Sequence, residues 1–257
     1  MKPFAFEWAR LRTLRSTWIM SVLSVLFSVL TGLLAIPVID EDPSALGWLA
    51  VLTIAVPTVT ALCCGLIGVF AIGHEFRYGT IRPTLTALPR RVRVMVAKII
   101  FPALFSLVLS VVCLIVTYAA AWLFVHNKLE TPAMSGEVIR VLLGAALYAV
   151  GFCVIGVGLT ALFRNQVAGI VAMLVVPLVV ENAVSAGLQL IPWLDSIQDW
   201  NRYLPFYAGR SMYAPPDSVA RQFDVDSLSP FAGGAVYFAF GAIICALGIL
   251  RFTNRDA

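Results

Sequence analysis

Charge is scarce in this sequence. Asp, Glu, Lys and Arg make up 12% of its 257 residues, where a soluble domain carries about a quarter. Long polar blocks are missing too: the 60% of residues that are apolar are spread along the whole chain, so no separate water-facing core can be built. Together the two shortages exclude water as the main solvent and point to a single membrane domain, 1–257.

Catalytic and metal-binding patterns are also absent. The five cysteines, Cys63, Cys64, Cys113, Cys153 and Cys245, lie inside apolar runs without CxxC or Cys/His spacing, which leaves them as small packing residues. No GxxxxGK[ST] loop occurs, so the chain cannot cradle nucleotide phosphates in the usual way. His74 and Glu75 are adjacent, but Tyr78 stands where a zinc-protease helix needs its second His. GxSxG and clustered aspartates suited to diphosphate and Mg²⁺ are missing as well. We therefore expect no enzyme activity, bound cofactor, metal or nucleic-acid partner in this chain.

What the chain does have is long charge-free apolar runs. A helix rising 1.5 Å per residue needs about 20 apolar residues to cross the hydrocarbon layer. Runs of that kind predict six spans, at about 17–38, 48–72, 99–125, 138–163, 167–190 and 230–250. Each must be a helix, since lipid offers the backbone no hydrogen bonds and the alternation of a barrel strand is missing. The fold class is thus all-α, a polytopic membrane protein. No small-residue cleavage site closes the first run, so it is expected to be retained.

Lys and Arg divide unequally between the two alternating sets of loops, about thirteen against about five, and the excess marks the cytoplasmic side. Both termini are expected there, in the cytoplasmic (inner) membrane. Small residues recur at packing spacing, Ala61 with Gly65, Ala145 with Ala149 and Cys153, and Gly241 with Cys245, as in helices that approach closely.

Three segments are not spans. Residues 1–15 place Phe4, Trp8, Leu11 and Leu14 at helical spacing, with Glu7, Arg10, Arg12 and Arg15 around the rest, an amphipathic helix for the membrane surface. The loop 73–98 is basic and carries Pro83 and Pro89, which limit it to short helical pieces. Segment 191–229 is rich in Trp and Tyr, fitting an external interfacial or re-entrant structure. Within the fifth run, Glu181 beside Asn182 follows Pro177. Two readings stand for this pair: a substrate contact, or bonds to backbone freed at the proline or on a neighbouring helix.

Residues Glu75, Arg77, Gly79, Thr80, Ile81, Thr84, Leu85 and Pro89, with Arg91 and Lys98 following, resemble the segment after the second helix of ABC-2 type transporter permeases. The starting stretch FEWARLRTLRSTW and the run Tyr203-Leu204-Pro205-Phe206 are similar to that family too. The resemblance implies the ABC-2 permease fold and an exporter subunit working with a second permease chain and two ATPase subunits, which would bind ATP and Mg²⁺. It further implies that Glu75, Arg77, Gly79, Thr80, Thr84, Pro89 and Arg91 belong to an ATPase-coupling loop, with Glu75 and Arg77 as its foremost polar contacts. Rival readings are a secondary transporter or channel without an ATPase, which would normally carry repeats and more ionisable groups in its spans, and a ligand-binding membrane scaffold or immunity factor.

Overall fold

The computed structural model describes residues 3–34, 59–81, 91–125, 136–190, 199–213 and 228–254. Helices dominate, and no strand occurs among the described residues. The chain runs through α1 (Pro3–Thr13), α2 (Arg15–Leu34), α3 (Ala61–Arg77), α4 (Arg91–Val125), α5 (Gly136–Phe163) and α6 (Gln166–Val175). A π-helical turn (Val176–Val180) then joins α6 to α7 (Glu181–Leu190). A 3₁₀ turn (Asp199–Tyr203), α8 (Pro205–Arg210) and α9 (Pro230–Asn254) follow.

Among the described residues, five stretches are long and apolar enough to cross a bilayer: Arg15–Leu34, Val92–Ala120, Val138–Phe163, Gln166–Leu188 and Pro230–Phe252. The expected span 48–72 lies partly outside the described residues; what is described of it is α3, 17 residues long. α4 begins at Arg91, not at 99, so the basic turn before the third span belongs to the same helix. The loop after α3 is correspondingly shorter than 73–98.

Which faces are buried identifies the solvent. On α2 the inward residues are Thr17, Ser21, Ser24, Ser28 and Gly32, while Ile19, Val22, Leu26 and Leu30 point outward. α4 repeats the pattern, burying Ser106, Ser110, Cys113 and Thr117 and exposing Leu104, Val108 and Ile115. A helix in water does the reverse. In lipid, small and weakly polar side chains let helices approach, and hydroxyls find partners in the backbone. Thr117 Oγ1 thus donates to the Cys113 carbonyl at 2.9 Å and approaches the Ser28 carbonyl at 3.3 Å.

The main contact of the bundle is α3 against α5, made through glycine. A Cβ on Gly68 would strike the Cys153 carbonyl, and one on Gly156 would strike the Gly65 carbonyl. The small-residue spacings noted in the sequence therefore serve packing within one chain: Ala61, Ala145, Ala149 and Cys153 are all fully buried. The ends of α3, α4, α5 and α9 gather at one end, where Ile72 and Ile81 meet Met95, Ala161 and Phe252. The N-terminal helix and the last turns of α9 both lie at this basic end.

Candidate functional site

The basic end is organised around four charges on three helices. α1 places Glu7 and Leu11 on one face, with Arg10 beside them. Glu75 follows the apolar run of α3, and Lys98 sits among the buried residues Val94, Met95 and Ala97 of α4. Lys98 Nζ reaches Glu7 Oε1 at 2.6 Å and Glu75 Oε1 at 2.5 Å. Arg10 Nη1 bonds the same Glu75 oxygen at 2.5 Å and lies 3.7 Å from Glu7 Oε2. The cluster holds two charges of each sign, so its net charge is zero.

Burial decides what this cluster can do. Lys98 is 0% exposed, and Glu7 and Glu75 are each 4% exposed. Buried charges persist only when paired and hydrogen-bonded. The group is thus a fixed junction tying α1 to the end of α3 and the start of α4. Pro102, inside α4, removes the backbone donor that would otherwise bond the Lys98 carbonyl one turn earlier.

This corrects two expectations. Glu75, expected to offer a polar contact to a partner at the surface, has its carboxylate turned inward onto Arg10 and Lys98. On α1, Glu7 and Arg10 face the protein, whereas Trp8 is half exposed with its ring 6.3 Å from that of Phe101. The pairing gave no sign in the sequence because Glu7 and Lys98 are 91 positions apart.

Outside the junction lies an exposed turn. Arg77, Tyr78, Gly79 and Thr80 are all solvent-exposed. The Tyr78 N–H closes α3 on the His74 carbonyl at 2.9 Å, and Gly79 follows with φ +66°, a left-handed backbone that a side chain would strain. The Arg77 guanidinium lies over the Tyr78 ring, 5.6 Å from its centre. Arg91 opens α4. Thr84 and Pro89 lie outside the described residues.

At the opposite end Glu181 has a different task. It is 6% exposed, and its two oxygens accept the backbone N–H groups of Phe206 at 2.8 Å and Tyr207 at 2.9 Å. These are the first free donors of α8, which opens with Pro205. Helix starts leave such donors unpaired, and a carboxylate satisfies them well. Asn182 instead donates to the Leu178 carbonyl at 2.8 Å, beside the π turn. Glu181 therefore pins the segment Tyr203-Leu204-Pro205-Phe206 into the bundle.

The α8 part of that segment is buried, as a re-entrant piece would be, while Tyr203 stays exposed. Phe206, Tyr207, Ala208 and Gly209 are covered, and a Cβ on Gly209 would meet the Tyr148 and Tyr237 rings at 2.8 and 3.0 Å. Gly144 of α5 and Gly233 of α9 leave room for the backbone at Met212 and Ala208. The Tyr237 hydroxyl bonds the Tyr148 carbonyl at 2.9 Å. Of the aromatic residues in this stretch, Phe206, Tyr207 and Tyr213 are packing, while Trp200 and Tyr203 stay exposed. Of the expected external stretch, 191–198 and 214–227 lie outside the described residues.

Among the described residues no group of three or more His, Cys, Asp or Glu could hold a metal, and the five cysteines are buried and free. A family model described as "ABC-2 family transporter protein" matches residues 4–180, more than half of the chain. The match takes in the four-charge junction and the exposed turn and ends before Glu181. No curated protein matches.

Proposed function

The chain belongs to the ABC-2 transporter family, and on that premise we propose that it is the membrane-spanning subunit of an ATP-driven exporter whose motor is a separate subunit. The family associates with ABC ATPases, and the chain is a multi-pass membrane permease. In the proposed assembly two ATPase subunits bind ATP and Mg²⁺, and a second permease chain completes the pathway. The basic end faces the cytoplasm, in keeping with the excess of Lys and Arg there.

One observation carries the coupling part of the reading: the exposed turn Arg77–Thr80 stands on the buried junction of Glu7, Arg10, Glu75 and Lys98. A motor that pushes on a loop moves the spans only if the loop's base resists. Here the base is two helix ends locked to each other and to α1 by charges that cannot part without stranding one in a low-dielectric interior. A stroke delivered at the turn moves α3 and α4 together and carries α1 and α2 along. Gly79 and Thr80 belong to the surface that meets the motor, and the family resemblance assigns Thr84, Pro89 and Arg91 to the same coupling segment. Arg77 and Tyr78 are its leading contacts, Glu75 its internal anchor.

The rival secondary transporter needs an ionisable group in its spans free to take an ion or proton. Glu181 suits that role poorly, because both of its oxygens hold α8.

The test is the variant Arg77→Glu with Tyr78→Ala. Both side chains are exposed, so the fold should survive within about 0.5 kcal/mol per change. We expect affinity for the ATPase to fall about tenfold or more, the equivalent of 1.4 kcal/mol, and substrate-stimulated ATP hydrolysis to fall with it. Unchanged coupling in a well-folded variant rejects this turn as the contact.

A further inference from the structure

Beside the junction, between the foot of α2 and the last turn of α3, lies a cavity of about 460 Å³. We infer that it binds the phosphate of an anionic phospholipid headgroup from the adjacent leaflet. The inference depends on the chain's place in a membrane and not on the exporter reading.

Charge comes first. Arg10 and Arg15 both line the cavity, and Glu75 is its one acidic lining residue. Glu75 is already neutralised, since its Oε1 lies between Arg10 and Lys98. Arg15 forms no ion pair among the described residues and is exposed. With Arg10 held by Glu75, Arg15 supplies the cavity's surplus positive charge, and its guanidinium can be directed at a phosphate.

The neutral groups suit an oxyanion too. Ser16 Oγ lies 3.1 Å from His74 Nε2, while His74 Nδ1 is buried with no hydrogen-bond partner among the described residues. Burial, with Arg10 and Arg77 nearby, pushes the His74 imidazole below its usual pKa. That favours the neutral ring, which presents a single N–H without adding charge. A buried imidazole nitrogen without a partner costs free energy, which a headgroup oxygen relieves.

The apolar surroundings separate a lipid from a free anion. Arg15, Ile19, Val22 and Leu26 fall at i, i+4, i+7 and i+11, hence on one face of α2, and all four are exposed. A phosphate held at Arg15 therefore stands at the head of an apolar stripe running into the hydrocarbon, along which an acyl chain can lie. Leu14 and the Tyr78 ring line the cavity as well. A soluble phosphate would gain nothing from that stripe.

The full chain, purified in mild detergent, can be titrated with phosphatidylglycerol or phosphatidylcholine of the same acyl chains, and the retained lipid counted by native mass spectrometry. We expect one phosphatidylglycerol to be held in preference to phosphatidylcholine. Arg15→Gln should lower that retention about fivefold, the scale of one basic group at a charged membrane surface. Arg93→Gln, at an exposed position on α4, should leave it unchanged. Equal retention of the two lipids, or equal losses from Arg15→Gln and Arg93→Gln, would overturn the site. Displacement of the lipid by free glycerol phosphate at matching concentration would replace it with a site for soluble anions.

Discussion

Replacing Lys98 with Met should cost about 3–5 kcal/mol of folded-state stability, the range for stranding the partners of a buried ion pair. Lys98 is fully buried and holds both Glu7 and Glu75. Without it two carboxylates face Arg10 alone, one of them without a close counter-charge. Methionine fills most of the lysine stem's volume, so lost packing accounts for little of the effect. A second variant separates charge from shape. Glu7→Gln combined with Lys98→Met leaves the Arg10–Glu75 pair neutral and intact, so the double variant should be more stable than the sum of the two single losses predicts. Coupling energies of about 0.5–3 kcal/mol are usual for residues in one network. Thermal unfolding of the four proteins in the same detergent reads the cycle directly. Strict additivity would mean that the charges do not act as a unit.

The second large effect belongs to Glu181. Glu181→Ala removes the acceptor for two buried N–H groups, Phe206 and Tyr207. At about 1–3 kcal/mol for each stranded donor, the loss should reach about 2–6 kcal/mol. Glu181→Gln keeps one carbonyl acceptor and should lose about half as much, while Asn182→Ala, whose bond lies on an exposed face, should stay within about 0.5 kcal/mol. The same series separates the two readings that the sequence left open. A structural Glu181 loses stability and transport in proportion along Gln and Ala. A substrate contact loses transport in Glu181→Gln with stability unchanged, and that outcome would contradict the bonding described above.

These two sites show what sequence patterns carry and where they stop. Charge-free length found the membrane-crossing runs because lipid forces each to be a continuous helix, and the runs now seen as α2, α4, α5, α6 with α7, and α9 were legible on that ground. The start of α4 was not. Arg91, Arg93 and Lys98 look too polar to belong to a span, and only the tertiary partners of Lys98 explain why the helix can carry it into a buried position. α1 misled for a related reason: Phe4, Trp8, Leu11 and Leu14 suggest an apolar face, but the inward face is set by Glu7 and Arg10 finding opposite charges on α3 and α4. Pairing between charges so far apart in sequence leaves no periodic trace. Pro83 and Pro89 marked the loop as broken, but the turn at Gly79 was not read from the sequence, and its exposure follows from α3 running on to Arg77. Glu181 was visible as the odd charge in an apolar run, yet its partners are backbone groups of α8, which no side-chain pattern announces. In that case Pro205 was the usable signal, since proline at a helix start leaves the next donors seeking an acceptor.

The central claim is that the turn after α3 is where a separate ATPase grips the membrane subunit, and a single thiol tests it most directly. The five native cysteines are all buried, so Tyr78→Cys places one exposed thiol at the turn. Cross-linking of that variant in membranes holding its ATPase, with a short bifunctional reagent, should yield one covalent product of permease and ATPase whose amount changes when ATP and Mg²⁺ are added. A cysteine at exposed Ile19, out on the lipid face of α2, should give none. If Tyr78→Cys gives no product while the ATPase stays bound and transport continues, the motor contacts this chain elsewhere and the account of the turn is wrong.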